Sequence, residues 1–117
     1  MRARTVKFPV GFLVAGLGLL LAAGPALATE AGLRRFVASA QGSSQEPIHV
    51  ALFYPTQDAA KSIPMGPFTP TVAINGRPDA QVKGLIVLSH GNAGSELGHS
   101  VLAVALAKNG YLVAALK

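Results

Sequence analysis

The pattern of apolar and polar positions is most regular in the C-terminal third of the chain. One apolar run, residues 85–88, leads into a glycine-rich segment, 89–95, and a second apolar run occupies residues 110–116. Between them, residues 96–108 repeat apolar side chains at the spacing of a helix. This order predicts a strand, a turn, a helix and a strand, which together make one parallel βαβ unit.

The helix predicted over residues 96–108 has recognisable ends. Ser95 is the expected N-cap, and Glu96 places a negative charge in the first turn, where the helix dipole favours it. Asn109-Gly110 is a C-terminal stop. The apolar side chains of this helix form a stripe that we expect to lie on the sheet, made of Leu97, Val101 and Ala105 and widened by Leu102 and Leu106.

Two further strands are predicted earlier in the chain. They occupy residues 33–38 and 47–54, and the short segment Gly42-Ser43-Ser44 lies between them, which favours an antiparallel hairpin. Residues 56–83 contain four prolines and two glycines, so they are predicted to be irregular apart from a short strand at 71–74. The fold class is therefore α/β, an antiparallel hairpin followed by a parallel βαβ unit.

A lone parallel unit leaves one sheet face uncovered, and this architecture needs helices on both faces. The pattern therefore indicates the opening part of a larger domain, incomplete as it stands. A complete small domain is the other possibility.

The first 28 residues have the pattern of a secretory signal peptide. A cationic head (Arg2, Arg4 and Lys7) precedes an apolar run at residues 8–24, and small residues follow up to Ala28, after which we predict cleavage. The alternative is an uncleaved anchor, but the run is shorter than the roughly 20 apolar residues of a spanning helix. We expect an exported protein, periplasmic or extracellular, with no stable membrane span after cleavage.

Charge and cysteine content narrow the function classes. The formal net charge is +5, but three of the ten basic residues and none of the five acidic ones lie in the leader, so the remainder carries +2. No basic stripe interleaved with aromatic residues is present, so we predict no nucleic-acid partner. The chain has no cysteine and therefore no disulfide framework. Arg34 and Arg35 are predicted to be a solvated pair on an edge strand.

Histidines are the remaining candidates for a metal site. His99 lies three residues after Glu96, so the two would share a helix face and could in principle hold zinc with His90. A zinc site needs three or four ligands, and no further Cys, Asp or Glu is near in the sequence. His49 is expected on the mixed face of a strand. We therefore predict no metal and no cofactor.

The βαβ segment resembles a known superfamily. The run Leu85-Ile86-Val87-Leu88-Ser89-His90-Gly91, followed by Asn92-Ala93-Gly94-Ser95, the helix and residues 110–116, is similar in order to the α/β-hydrolases. More narrowly, it resembles the members of that superfamily that are like dienelactone hydrolase and platelet-activating-factor acetylhydrolase. Residues 48–56 resemble that group's second strand and the turn after it. The resemblance implies that residues 29–117 are the N-terminal portion of an α/β-hydrolase domain.

The resemblance also implies a role for the His-Gly turn. In that family the turn helps to form the oxyanion hole, and the matching donor here is the backbone N–H of Asn92, with His90 and Gly91 forming the turn. Glycines at 91 and 94 let the backbone approach a substrate, and a helix N-terminus adds positive potential. The other interpretation is a plain strand-to-helix turn, whose geometry His90 would order through a ring nitrogen.

The rest of the catalytic machinery is absent from the chain. No serine lies in a Gly-x-Ser-x-Gly motif, and in family order the nucleophile, acid and histidine would all follow Lys117. We therefore expect a truncated exported serine hydrolase that acts on a small ester or lactone in its full-length form and is inactive alone. The alternatives are a small secreted binding module without catalysis and a Rossmann-type nucleotide unit, whose Gly-x-Gly-x-x-Gly spacing is missing.

Overall fold

Six strands and one helix make up the part of the chain that the structure describes. The computed structural model describes residues 28–39, 41–42 and 46–117. The elements are β1 (Glu30–Ala38), β2 (Ile48–Thr56), β3 (Lys61–Ser62), β4 (Thr71–Ile74), β5 (Leu85–Ser89), α1 (Ser100–Lys108) and β6 (Leu112–Leu116). The predicted signal peptide lies outside the described residues except for Ala28, as do two residues of the predicted hairpin turn, Ser43 and Ser44.

The strands form one mixed sheet in the order β3-β4-β1-β2-β6-β5. β1 and β2 pair antiparallel from Glu30↔Thr56 to Ala38↔Ile48, which confirms the predicted hairpin. β5 and β6 pair in parallel and α1 connects them, which confirms the βαβ unit. The coarse α/β class is therefore confirmed, and the predicted short strand at 71–74 is β4.

β1 is an interior strand, because it also pairs in parallel with β4. The prediction that Arg34 and Arg35 lie on an edge strand is therefore wrong. The two arginines point to opposite faces of the sheet, since side chains alternate along a strand. Both are exposed, but only Arg35 is on the face that carries the helix.

The hydrophobic core lies between α1 and one face of the sheet, which we call the inner face. α1 packs against β1, β2 and β6. The sheet residues buried beneath it are large apolar side chains mixed with alanine: Ala31, Leu33, Ala51, Phe53, Val72, Val113 and Ala115. The helix contributes Ala103 and Ala107, whose small side chains let its axis lie close to the sheet.

The helix differs from its prediction in both its start and its buried stripe. It begins at Ser100, with His99 as N-cap and no acidic residue in its first turn, so Ser95 and Glu96 do not have the predicted capping roles. Successive tight turns occupy the four preceding residues. Gly98 disfavours a helix there, because glycine loses the most backbone entropy on ordering.

Because the helix starts later, a different face of it meets the sheet. Ser100, Ala103 and Ala107 are buried, whereas Val101 is 87% exposed and Leu102 and Ala105 are also exposed. The predicted stripe of Leu97, Val101 and Ala105 is therefore wrong. Leu97 is buried, but it lies in the turn before the helix, and Leu106 is half-buried against the core.

The opposite face of the sheet, which we call the outer face, carries apolar side chains with no helix over them in the described residues. The strand registers place Phe36, Leu52, Leu85, Val87, Leu112, Ala114 and Leu116 on it. Leu85 and Val87, on the edge strand β5, are 61% and 56% exposed.

Candidate functional site

A glycine-containing turn follows β5 at the carboxyl edge of the parallel pair. Ser89 ends the strand and pairs with Leu116 of β6, so the turn stands beside the point where β6 also ends. The Gly94 N–H donates to the Gly91 carbonyl at 3.1 Å, which closes a four-residue turn over 91–94. The carboxyl ends of parallel strands are where α/β sheets bind ligands.

Ala93, the third residue of this turn, has a left-handed backbone. Its φ is +60°, a region that residues other than glycine seldom occupy and that costs about 1–3 kcal/mol of strain. Such strain persists only where the surrounding structure enforces it. The sequence carries no signal for it, because glycine or asparagine is the residue normally found at such a position.

His90 closes the turn from the strand side. Its Nδ1 lies 2.6 Å from the Gly91 carbonyl oxygen, so the ring donates to that oxygen in the tautomer with Nδ1 protonated. The ring also lies where a side chain at Gly94 would stand, since a Cβ added there would be 2.7 Å from His90 Cβ and Nδ1. The structure thus places His90 and Gly94 in contact, and the predicted ordering contact through a ring nitrogen is present.

The turn leaves three amide groups without an acceptor. Within the described residues, the N–H groups of Gly91, Asn92 and Ala93 donate to no protein atom, whereas that of Gly94 is used inside the turn. Asn92 and Ala93 are both exposed. The donor predicted from the sequence is therefore available to a ligand, and the Ala93 N–H beside it is one that the sequence interpretation missed.

The segment between this turn and the helix is anchored in the core. Gly98 N–H donates to the Ser95 carbonyl at 3.0 Å, and Ser100 N–H donates to the Leu97 carbonyl at 3.0 Å. Ser95 Oγ accepts from the Leu97 N–H at 3.2 Å, so it caps this turn in place of the helix. Leu97 is part of the buried core cluster.

Glu96, in the same segment, is buried and forms an ion pair with Arg35 of β1. Burial alone would raise the pKa of its carboxyl group. The backbone N–H of Glu96, the hydrogen bond and charge of Arg35 and the charge of Lys117 together outweigh burial and hold the pKa below its ordinary value. Sequence reasoning placed Glu96 on a helix and Arg35 in solvent, because nothing in their spacing of 61 residues indicates a contact.

An open cleft adjoins this segment. It has a volume of about 460 Å³. Its lining includes Met65, Phe68, Ser95 and Leu97 together with the charged side chains of Arg35, Glu96 and Lys117. The lining is more polar than apolar, and the cleft is open to solvent.

The described residues contain neither a metal cluster nor a serine paired with a histidine. No group of three His, Asp or Glu residues lies close enough to hold a metal ion in the described part of the chain. His49 lies on β2 and His99 at the helix N-cap. No hydrogen bond joins a serine hydroxyl to a histidine ring among residues 28–39, 41–42 and 46–117.

No protein-family model, curated protein or solved structure gives a significant match to this chain. In the described residues, no helix has both the length and the apolar character needed to cross a bilayer.

Proposed function

We propose that this chain supplies the oxyanion-hole loop of an exported serine hydrolase that cleaves a small carboxylic ester or lactone. The nucleophile, acid and base would come from outside these 117 residues. The observation that carries the proposal is the exposed, unused N–H of Asn92 at the carboxyl end of β5. By itself the chain is inactive, because a donor for an oxyanion has no reaction to assist without a nucleophile.

The chemistry asked of the loop is electrostatic. When a serine oxygen attacks an ester carbonyl, the carbonyl oxygen gains negative charge, and a fixed N–H donor stabilises that charge without reorganising. One such donor contributes about 2.7–4 kcal/mol to transition-state stabilisation. The second donor of such a hole is the amide after the nucleophile, and Ala93 offers a further N–H from this loop.

The sheet supports the proposal because one of its edges and part of one face remain uncovered in the described residues. β5 is an edge strand, and the outer face beside it is apolar. Both features accommodate further strands and helices next to the turn, where a nucleophile would have to stand.

The first test is the reading frame that follows the codon for Lys117. We expect a Gly-x-Ser-x-Gly motif within about one hundred codons, roughly the remainder of a domain, then an acidic residue and a histidine in that order. Absence of the motif from all three frames contradicts the proposal.

The second test removes the N–H donor of Asn92. It uses the full-length polypeptide, in which this chain continues into the downstream segment that carries the nucleophile. Asn92→Pro deletes the N–H, and proline is well tolerated at the second position of such turns. We expect kcat for p-nitrophenyl acetate to fall by about 10²–10³-fold. Asn92→Ala keeps the N–H and is the matched control, with kcat close to that of the unmodified enzyme. Equal rates for the two variants would sink the assignment.

A secreted binding module without catalysis is the second candidate, and the exposed outer face is the observation that favours it. The two candidates differ in solution behaviour. A binding module melts cooperatively as a monomer, whereas the partner-dependent piece of a hydrolase self-associates through its open edge and outer face. Calorimetry together with light scattering on the full chain separates them.

A further inference from the structure

An ion pair joins β1 to the segment after the candidate oxyanion turn. Arg35 Nη2 donates to Glu96 Oε1. The Glu96 side chain is only 6% exposed, whereas that of Arg35 is 52% exposed. A buried carboxylate is costly unless it is paired and hydrogen-bonded, so this contact defines where Glu96 can sit.

Glu96 lies next to the turn in the chain and holds its C-terminal side. The 91–94 turn is fixed on one side by the β5–β6 ladder, through the pair Ser89↔Leu116. On its other side only Ser95 separates it from Glu96. The loop is therefore held at two points, the strand end and the Glu96–Leu97 anchor, and both must be in place for the Asn92 N–H to keep one direction.

Charge favours the ionised form of the anchor. Two cations lie near the Glu96 carboxylate, Arg35 from β1 and Lys117 after β6, and its own backbone N–H also stabilises the anion. Arg35 is the cation in direct contact. Arg34, its neighbour in the chain, lies on the outer face of the sheet and takes no part.

We propose that Glu96, held by Arg35, is a positioning residue that fixes the direction of the Asn92 and Ala93 N–H groups. The inference rests on the proposed function for what those groups do. The coupling of the ion pair to the turn is a property of this chain and is measurable without any substrate.

The experiment is amide hydrogen exchange by NMR on the full chain, with three variants. Glu96→Gln and Arg35→Met remove one charge each, and Arg34→Met is the matched control on the outer face. The reporters are the N–H groups of Gly94, Leu97 and Gly98, whose acceptors lie within the 91–98 segment.

The distant controls are the N–H groups of Lys83 and Leu112, which donate to Gly110 and Gly84 at the amino-terminal end of the β5–β6 pair, opposite the turn. We expect exchange at the three reporters to become about tenfold faster in Glu96→Gln and Arg35→Met, as loss of a charged hydrogen bond implies. Lys83 and Leu112 keep their rates in both variants, and Arg34→Met changes none. Arg35→Lys restores most of the protection, because it keeps the charge.

Two results overturn the inference. Equal acceleration at the reporters and at Lys83 and Leu112 means that the pair supports only global stability, and an unchanged Gly94 rate means that the turn does not depend on the pair. Either result leaves the Asn92→Pro kinetics unaffected, so it counts against this inference alone. A third outcome is possible, in which the exchange rates change as expected but Asn92→Pro has no effect on kcat. That outcome contradicts the proposed function, and the Arg35–Glu96 pair then has no catalytic role.

Discussion

The two faces of the sheet differ in how completely they are covered. On the inner face, Phe53, Leu33 and Val113 lie beneath α1 and are almost completely buried. On the outer face, Leu85 and Val87 keep more than half of theirs exposed. Both faces are apolar, so hydrophobicity alone does not distinguish them. The presence of a covering helix distinguishes the inner face from the β5 part of the outer face, whereas beside β1 the outer face also holds buried side chains, Val50 and Tyr54. The comparison therefore predicts that mutations beneath the helix cost more stability than mutations at the exposed positions of β5.

The largest effect is expected for a large-to-small change in the inner core. Phe53 is fully buried in β2, and Phe53→Ala should lower the free energy of unfolding by about 3–5 kcal/mol through lost burial and a residual cavity. His49→Ala, at an exposed position of the same strand, is the control and should change it by less than about 0.5 kcal/mol. Urea denaturation followed by circular dichroism measures both.

The helix offers a sharper form of the same comparison. Ala103→Leu introduces a larger side chain where the helix touches the sheet, and overpacking should cost about 1–3 kcal/mol. Val101→Leu introduces the same side chain on the exposed side and should be neutral within about 0.5 kcal/mol. If Val101→Leu proved the more damaging of the two in urea denaturation, the original sequence-based stripe would be right and the observed helix face wrong.

Local patterns predicted the strands well and the helix poorly, for a physical reason. A continuous apolar run predicts a strand such as β5, and two strand-like segments joined by a short Gly/Ser segment predict the β1–β2 hairpin. The start and rotation of α1 depend instead on contacts made far along the chain. Leu97 packs in the core and Glu96 forms an ion pair with Arg35. Both residues therefore lie before the start of the helix, although the sequence pattern placed them inside it.

The candidate site divides in the same way. The His90-Gly91 turn was predictable, because its glycines and its place after an apolar run are local features. The left-handed backbone at Ala93 and the Arg35–Glu96 pair were not, since each depends on how the loop is held between the strand end and the core. The resemblance to α/β-hydrolases supplied the role of Asn92, and that role stays a prediction.

Acid should weaken the inner face through Glu96. Its pKa is lower in the folded protein than in the unfolded chain, so the unfolded state binds more protons as pH falls. The stabilisation is therefore complete at neutral pH. It is lost as pH drops below the ordinary glutamate pKa of about 4.3 and then through the folded value. Burial of the carboxyl group opposes this lowering of the pKa, and the backbone N–H of Glu96, Arg35 and Lys117 together outweigh it.

The measurement is the free energy of unfolding between neutral pH and pH 3, compared with Glu96→Gln. The variant lacks the titrating group, so its acid dependence should be shallower, and the two curves should converge at low pH. Parallel curves over the whole range would show that Glu96 contributes nothing to acid sensitivity.

The smallest effect on stability, and the most informative for function, is expected on the outer face. Val87→Lys places a charge on the exposed side of the edge strand β5 and should change the free energy of unfolding by less than about 0.5 kcal/mol. Ile86→Lys, one residue earlier, points to the inner face and should cost several times more, because its charge would be partly buried.

The same Val87→Lys charge should suppress self-association seen by light scattering, since charged edge strands resist pairing with another chain. If Val87→Lys instead destabilised the chain as much as Ile86→Lys, the outer face would already be covered within this polypeptide. The room that the proposed hydrolase needs beside the Asn92 turn would then not exist.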